Sequence, residues 1–119
     1  MTLKTERGKM PTIFDPKDLP IDKKTGVKIA TLANQAMLGT DALQVKRVTL
    51  DANSLSESIG AENAERFVYV ISGKGKAQVG DETFRLDAES VLWLEKSDIF
   101  HFEAGANGLE VLLCYAPVK

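Results

Sequence analysis

The sequence predicts an all-β protein, built as a closed barrel or sandwich of short antiparallel strands. Between residues 65 and 117, short apolar runs with alternating side chains are separated by glycine-containing turns. The runs recur about every 8–12 residues, a spacing typical of antiparallel sandwiches and barrels rather than of βαβ units. Gly73-Lys-Gly75 lies between two such runs, as the turn of a β-hairpin would.

Length and composition indicate one globular domain. The chain has 119 residues, of which 44% are hydrophobic, enough for one apolar core and too few residues for a second domain. The net charge is −2 and the basic residues are scattered, which argues against a nucleic-acid partner. No apolar run approaches the ~20 residues of a membrane span, so no membrane role is predicted. A small molecule or a protein partner is the expected ligand.

The first 26 residues are interpreted as an N-terminal arm that packs on the barrel or on a partner subunit, and residues 27–119 as the barrel domain. The arm is polar and contains three prolines. Its first residues lack the apolar segment of a secretory signal, which predicts a cytoplasmic protein. The single cysteine, Cys114, agrees with a reducing compartment and is expected in the core, because it lies in an apolar run.

The strands are predicted in order along the remaining chain, at residues 27–32, 42–50, 66–73, 76–79, 83–86, 90–94, 99–102 and 109–115. In the strand at residues 42–50, the apolar side chains switch once from odd to even positions. This switch predicts a β-bulge near Lys46 and Arg47. Residues 51–64 form the longest irregular segment. Long loops in compact domains often carry function, so a site is expected there.

The Arg66–Gly75 hairpin, the strand at 90–94 and the closing run at 110–117 together resemble the cupin superfamily of small jelly-roll barrels. The resemblance covers roughly residues 27–117 and implies a double-stranded β-helix, or jelly-roll barrel. In metal-binding cupins the first motif reads G-x5-H-x-H-x3,4-E-x6-G. With Gly73 as its last glycine, Arg66 takes the position of the glutamate, and Gly60 and Glu62 take those of the histidines.

The second cupin motif supplies one more histidine, and His101 is the only histidine of this chain. An alignment without a gap places Phe100 at that position instead. The resemblance therefore implies a cupin with a degenerate metal site, and no cofactor is predicted. The alternative is a divalent metal held by Glu62 and His101, with Glu57 or Glu65 as a third ligand.

Strand parity places Arg66, Val68 and Val70 on one face, which the resemblance directs into the barrel. A guanidinium in a cavity offers a planar fork of donors that suits a carboxylate or phosphate. The alternative for Arg66 is a structural salt bridge to an acid such as Glu62 or Glu57.

The predicted ligand-binding residues are Arg66, Glu62, Trp93 and His101, which the resemblance gathers at the barrel mouth. His101 is also the candidate catalytic acid or base, or else a plain hydrogen-bonding side chain. Trp93 is expected either as an apolar wall of the pocket or as core.

Three functions follow as hypotheses. The first is a metal-free binding module, a sensor or accessory protein that holds a small metabolite in the barrel mouth, with anionic metabolites among the candidates. The alternative is a cupin enzyme of the isomerase, epimerase or hydrolase kind, using His101 with Glu62 and with or without a metal. A third is a structural role with a filled barrel. Phe67 and Tyr69 are predicted on the outer face, where a second subunit would cover them in a homodimer.

Overall fold

The structure, a computed structural model, describes residues 19–39, 43–60 and 63–117 and is almost entirely β. A four-residue helix, α1 (Gln35–Leu38), follows the second strand. The predicted all-β fold class is confirmed. The strands are β1 (Ile21–Lys24), β2 (Val27–Ala33), β3 (Gln44–Leu50), β4 (Ala64–Val79), β5 (Glu82–Leu86), β6 (Val91–Leu94) and β7 (Phe100–Pro117).

All strand pairs are antiparallel. The order along the sheet is β1-β2-β3-β7-β4-β5, and β6 pairs with β4 beside β5. The two long strands, β4 and β7, pair from Ala64 opposite Pro117 to Val79 opposite Phe100. They join the two halves of the barrel, because β3 flanks one end of β7 while β5 and β6 flank β4.

The predicted hairpin at Gly73–Gly75 is wrong, because β4 continues through these glycines. The strand bends there instead, with a shift of register against β7 between Gly73 and Gly75. Gly73 has a φ of 86°, and Gly108 on the neighbouring β7 has a φ of 83°. Glycine permits this left-handed conformation, so both long strands turn a corner of the barrel without breaking.

The predicted arm contributes one strand to the sheet. β1, which comprises Ile21–Lys24, pairs with β2 through a turn at Thr25 and Gly26, where Gly26 has a φ of 77°. This part of the arm therefore packs on its own chain. Residues 1–18 lie outside the described residues, and the expectation for them stays a prediction.

Alternation along β4 sorts its side chains between the barrel interior and the outer face, as predicted. Arg66, Val68 and Val70 are buried, while the intervening side chains are partly or largely exposed. The core is apolar and comprises Val48, Leu50, Ala64, Val68, Val70, Ala77, Leu86, Leu94, Phe100, Phe102, Ala104, Leu109, Val111, Leu113 and Tyr115.

Two smaller predictions are corrected. Cys114 is on the outer face and half-buried, because its neighbours Leu113 and Tyr115 point inward; this partial burial raises the pKa of its thiol. The bulge lies in β2, between Thr31 and Ala33, whereas β3 pairs with β7 in unbroken register.

Among the described residues, no helix is long and apolar enough to cross a membrane.

Candidate functional site

A cavity of about 420 Å³ opens at one end of the barrel. One side is the inner face of β2, β3 and β7, and the other is the segment of residues 55–59, here called the wall segment. The residues that line the cavity are Asp22, Lys24, Thr25, Val27, Ile29, Lys46, Val48, Leu55, Ser56, Glu57, Ser58, Ile59, Leu113 and Tyr115.

The wall segment belongs to the long irregular loop in which the sequence predicted a site. It runs beside the first part of β7, where Ile59 and Phe100 exchange both backbone hydrogen bonds, with N to O distances of 2.6 and 3.0 Å. The backbone N–H of Ser56 donates to the carbonyl of Phe102, and the N–H of Phe102 donates back to the Ser56 hydroxyl. These bonds position the segment across the open end of the barrel.

The floor of the cavity is apolar. Val48, Leu113 and Tyr115 are each at most 4% exposed, and Val27 and Ile29 pack against them. These side chains come from three neighbouring strands, because every second residue of each strand points inward. An apolar floor favours a ligand with a hydrocarbon or aromatic body.

Lys46 places an ammonium beside this floor. It shares the inner face of β3 with Val48, and its Nζ lies 5.5 Å from the centroid of the Tyr115 ring. An ammonium over an aromatic face is attracted by the negative face of the ring. The cavity thus combines apolar surface with a cation, an arrangement that suits a small molecule carrying a negative group.

The rim of the cavity is charged and exposed. Lys24 on β1 and Glu57 on the wall segment form an ion pair of 2.5 Å across it. The hydrogen bond from Lys24 and the negative charge of Glu57 raise the pKa of the lysine above its ordinary value. Because this ammonium is already paired, Lys46 is the better candidate to meet a ligand's charge.

Arg66 is buried in the barrel, as parity and the resemblance together predicted, but its guanidinium does not line the cavity. Nη1 donates to the carbonyl of Gly60 at 2.8 Å. Nη2 donates to the carbonyls of Glu95 and Asp98 at 2.8 and 2.7 Å, with a longer contact to that of Lys96 at 3.4 Å. Among the described residues its partners are backbone carbonyls rather than the predicted carboxylate, and Glu57 pairs with Lys24 instead.

Of the other predicted site residues, His101 and Trp93 do not line the cavity. His101 is half-buried on the outer face of β7, opposite Gln78, because its neighbours Phe100 and Phe102 fill the interior. Trp93 is 55% exposed on the outer face of β6, so it is neither core nor a wall of the interior. Glu62 lies outside the described residues.

The described residues at the cupin ligand positions do not fit a divalent metal. Arg66 contributes a permanent cation at the glutamate position, where it would repel the ion. Phe100, with no donor atom, occupies the interior position of the second motif, and His101 faces away. Within the ranges that the structure describes, no group of three or more His, Cys, Asp or Glu side chains could hold a metal.

Sequence reasoning missed Lys46 and Tyr115. The bulge assigned to β3 concealed Lys46, since unbroken alternation from Val48 would have placed it on the inner face. Tyr115 lies opposite Arg66 in the β4–β7 pair, so it shares the face of that inward residue. The sequence does not give the register of this pair, so Tyr115 could not be placed in this way before the structure was known.

Solved structures with the same architecture confirm the fold. KdgF from a Halomonas species has a TM-score of 0.69 and 18% identity, covering 86% of this chain and 89% of its own. A predicted oxalate decarboxylase from Thermotoga maritima has a TM-score of 0.76 and 16% identity, and the match covers 89% of this chain and 99% of that protein. An RmlC-like cupin from Shewanella frigidimarina has a TM-score of 0.70 and 14% identity, and the match covers 89% of this chain and 90% of that protein.

These identities are low enough that the likeness concerns the fold alone. No protein-family model matches the sequence, and no curated protein matches it. The shared fold does not assign a function, because one fold hosts many unrelated activities.

Proposed function

We propose that this chain, which has the cupin fold, is a metal-free binding protein that holds a small anionic metabolite in the cavity beside Lys46. The observation that carries the proposal is the pairing of an apolar floor with a lysine ammonium on the inner face of the barrel. Such a protein would act as a sensor or as an accessory subunit.

The chemistry of the floor favours a ligand with one negative end and an apolar body. A carboxylate on Lys46 would form a charge-assisted hydrogen bond in a partly dehydrated site, where such bonds are stronger than in water. The body of the ligand would lie on Val48, Leu113 and the ring of Tyr115. A volume of about 420 Å³ is near the lower end of ligand pockets, which favours a small metabolite.

The alternative of an isomerase, epimerase or hydrolase depends on His101 acting with Glu62. A general base must come within hydrogen-bond reach of its substrate. His101 is on the face of β7 opposite to the cavity, which supports binding over this form of catalysis.

Replacement of Lys46 tests the proposal. The probes are two matched pairs of small molecules, hexanoate with hexanamide and phenylacetate with phenylacetamide, titrated while backbone amide NMR shifts are followed. Lys46→Met is expected to weaken carboxylate binding about 10- to 100-fold, since a hydrogen bond to a charged group contributes about 1.5–3 kcal/mol. Binding of the two amides should change little, because they present no charge to the ammonium.

The matched control is Lys28→Met, which makes the same change on the outer face of β2, next to cavity residues Val27 and Ile29. It should leave all four affinities unchanged. An equal loss for acids and amides in Lys46→Met, or shifts that map away from the cavity, would contradict the proposed site.

We also propose that the protein is a homodimer, formed through the outer face of β4 and β6. Trp93 and Val91 are 55% and 57% exposed there, and the Trp93 ring meets Phe67 edge to face at 6.2 Å. The Trp93 indole is fixed further by donating to the Glu65 carboxylate at 3.2 Å. A rigid, exposed aromatic cluster of this kind is typical of the central contacts of an interface.

Trp93→Lys is expected to weaken the dimer at least tenfold, because tryptophans at the centre of interfaces contribute about 2 kcal/mol or more. Analytical ultracentrifugation over a range of concentrations measures this. Ile99→Lys is the control, since Ile99 is equally exposed at 55% but precedes β7, away from this cluster. A wild-type protein that remains monomeric at high concentration would refute the dimer.

A further inference from the structure

The Arg66 guanidinium binds three separate parts of the chain together. The side chain starts on β4 and is fully buried. Its Nη1 reaches the carbonyl of Gly60, next to the wall segment, and its Nη2 reaches the carbonyls of Glu95 and Asp98 in the turn between β6 and β7. That turn is closed on itself, because the Glu95 N–H donates to the Asp98 carboxylate at 2.8 Å.

Among the described residues, dipoles rather than carboxylates face the charge of this guanidinium. No carboxylate of the described residues pairs with it, so four carbonyl oxygens supply the negative ends. The Phe100 ring adds a negative π face, with the guanidinium carbon 5.3 Å from its centroid. Nε has no acceptor among the described residues. Carbonyls and ring together form a cage that suits a planar cation.

The cage is continuous with the cavity. Gly60 follows Ile59, which lines the cavity and exchanges two backbone hydrogen bonds with Phe100. The same Phe100 carries the ring below Arg66. Fixing the Gly60 carbonyl therefore fixes one end of the wall segment.

We propose that the carbonyl cage around Arg66 is an internal guanidinium-binding site whose cation positions the wall of the ligand cavity. Arg66 is thus a positioning residue, and the wall segment takes its place only when a planar cation fills the cage. The link to ligand binding depends on the proposed function, whereas the cage and its effect on the wall segment do not.

Chemical rescue tests the cage directly. Arg66→Ala is expected to lower the melting temperature and to speed exchange of the Ile59 amide hydrogen at least tenfold relative to amides of the β4–β7 core. Methylguanidinium at millimolar concentration, well below denaturing levels, should restore both. Methylammonium at the same concentration has one charge but no planar fork of donors, so it should restore neither.

Two controls separate positioning from general destabilisation. Val70→Ala removes core volume on the same strand and should speed exchange without singling out Ile59, and methylguanidinium should not correct it. Arg47→Ala removes an exposed arginine that pairs with Glu110 at 2.6 Å, and it should gain nothing from methylguanidinium either. Rescue of either control to the same extent would overturn the proposal.

Arg66→Lys keeps the protein testable if Arg66→Ala does not fold. A lysine retains the charge but cannot reach the Gly60 carbonyl and the 95–98 turn together, so Ile59 should again exchange at least tenfold faster than the core. Uniform exchange in this variant, or no rescue of Arg66→Ala, would overturn the proposal. Wild-type protein that shows no carboxylate binding would instead refute the proposed function and leave the exchange result intact.

Discussion

Gly73→Ala is expected to destabilise the protein by about 3 kcal/mol or more, because two separate costs add at this position. The first is conformational, since a φ of 86° is unfavourable for any residue with a Cβ. The second is steric, since a Cβ would lie closer than 3.0 Å to the backbone carbonyl oxygen of Gly108, which cannot move without opening β7. Urea unfolding monitored by tryptophan fluorescence measures the change.

Two other glycines isolate these costs. Gly80 has a φ of 56° and a Cβ added there would meet nothing within 4 Å, so Gly80→Ala should cost only about 1 kcal/mol. Gly75 lacks a positive φ, but a Cβ added there would press on the carbonyl oxygen of Glu103. Gly75→Ala should therefore cost about 1–3 kcal/mol. A Gly73→Ala variant no less stable than Gly80→Ala would show that β4 and β7 do not meet at this corner.

Phe100→Ala is expected to cost about 3–5 kcal/mol, the usual range for removing a buried phenylalanine. The ring is 1% exposed, packs edge to face on Phe102 at 5.6 Å and carries the Arg66 guanidinium on its face. Its loss would leave a void and would also remove part of the negative environment of a buried cation. Thermal and urea unfolding report the effect.

Ile99→Ala provides the control for this substitution. Ile99 adjoins Phe100 in the chain but is 55% exposed, so its truncation should change stability by about 0.5 kcal/mol or less. Similar losses for the two variants would mean that the side chains before and at the start of β7 are not sorted between solvent and core as described.

Strand parity was the part of the fold that the sequence could predict. The period of two is a property of each residue's immediate neighbours, so Arg66, Val68 and Val70 were correctly placed on one face, and the resemblance correctly directed that face inward. The resemblance placed Trp93 and His101 at the barrel mouth, but both lie on outer faces, because turns of unknown geometry separate their strands from β4. A shift of one residue in such a turn reverses the face of every side chain that follows.

Long-range contacts account for what the sequence could not predict. Gly73 and Gly75 look like a hairpin turn locally, and only their pairing with β7 shows that the strand continues through a bend. The wall segment becomes part of a cavity because it pairs with the first part of β7, which lies more than 40 residues further along the chain. Lys46 was missed for the same reason. It lines the cavity together with the wall segment, and no local sequence pattern links the two.

Among the described strands, β1 and β5 lie at the two ends of the sheet, and their side chains affect whether further strands can be added there. β1 is exposed along its whole length and carries Asp22, Lys23 and Lys24, and the first four residues of β5 are exposed and include Glu82 and Arg85. Charges on edge strands oppose the addition of further strands, since a neighbouring copy would bring the same charges into its own pairing. These charges therefore disfavour growth of the sheet into extended β-aggregates.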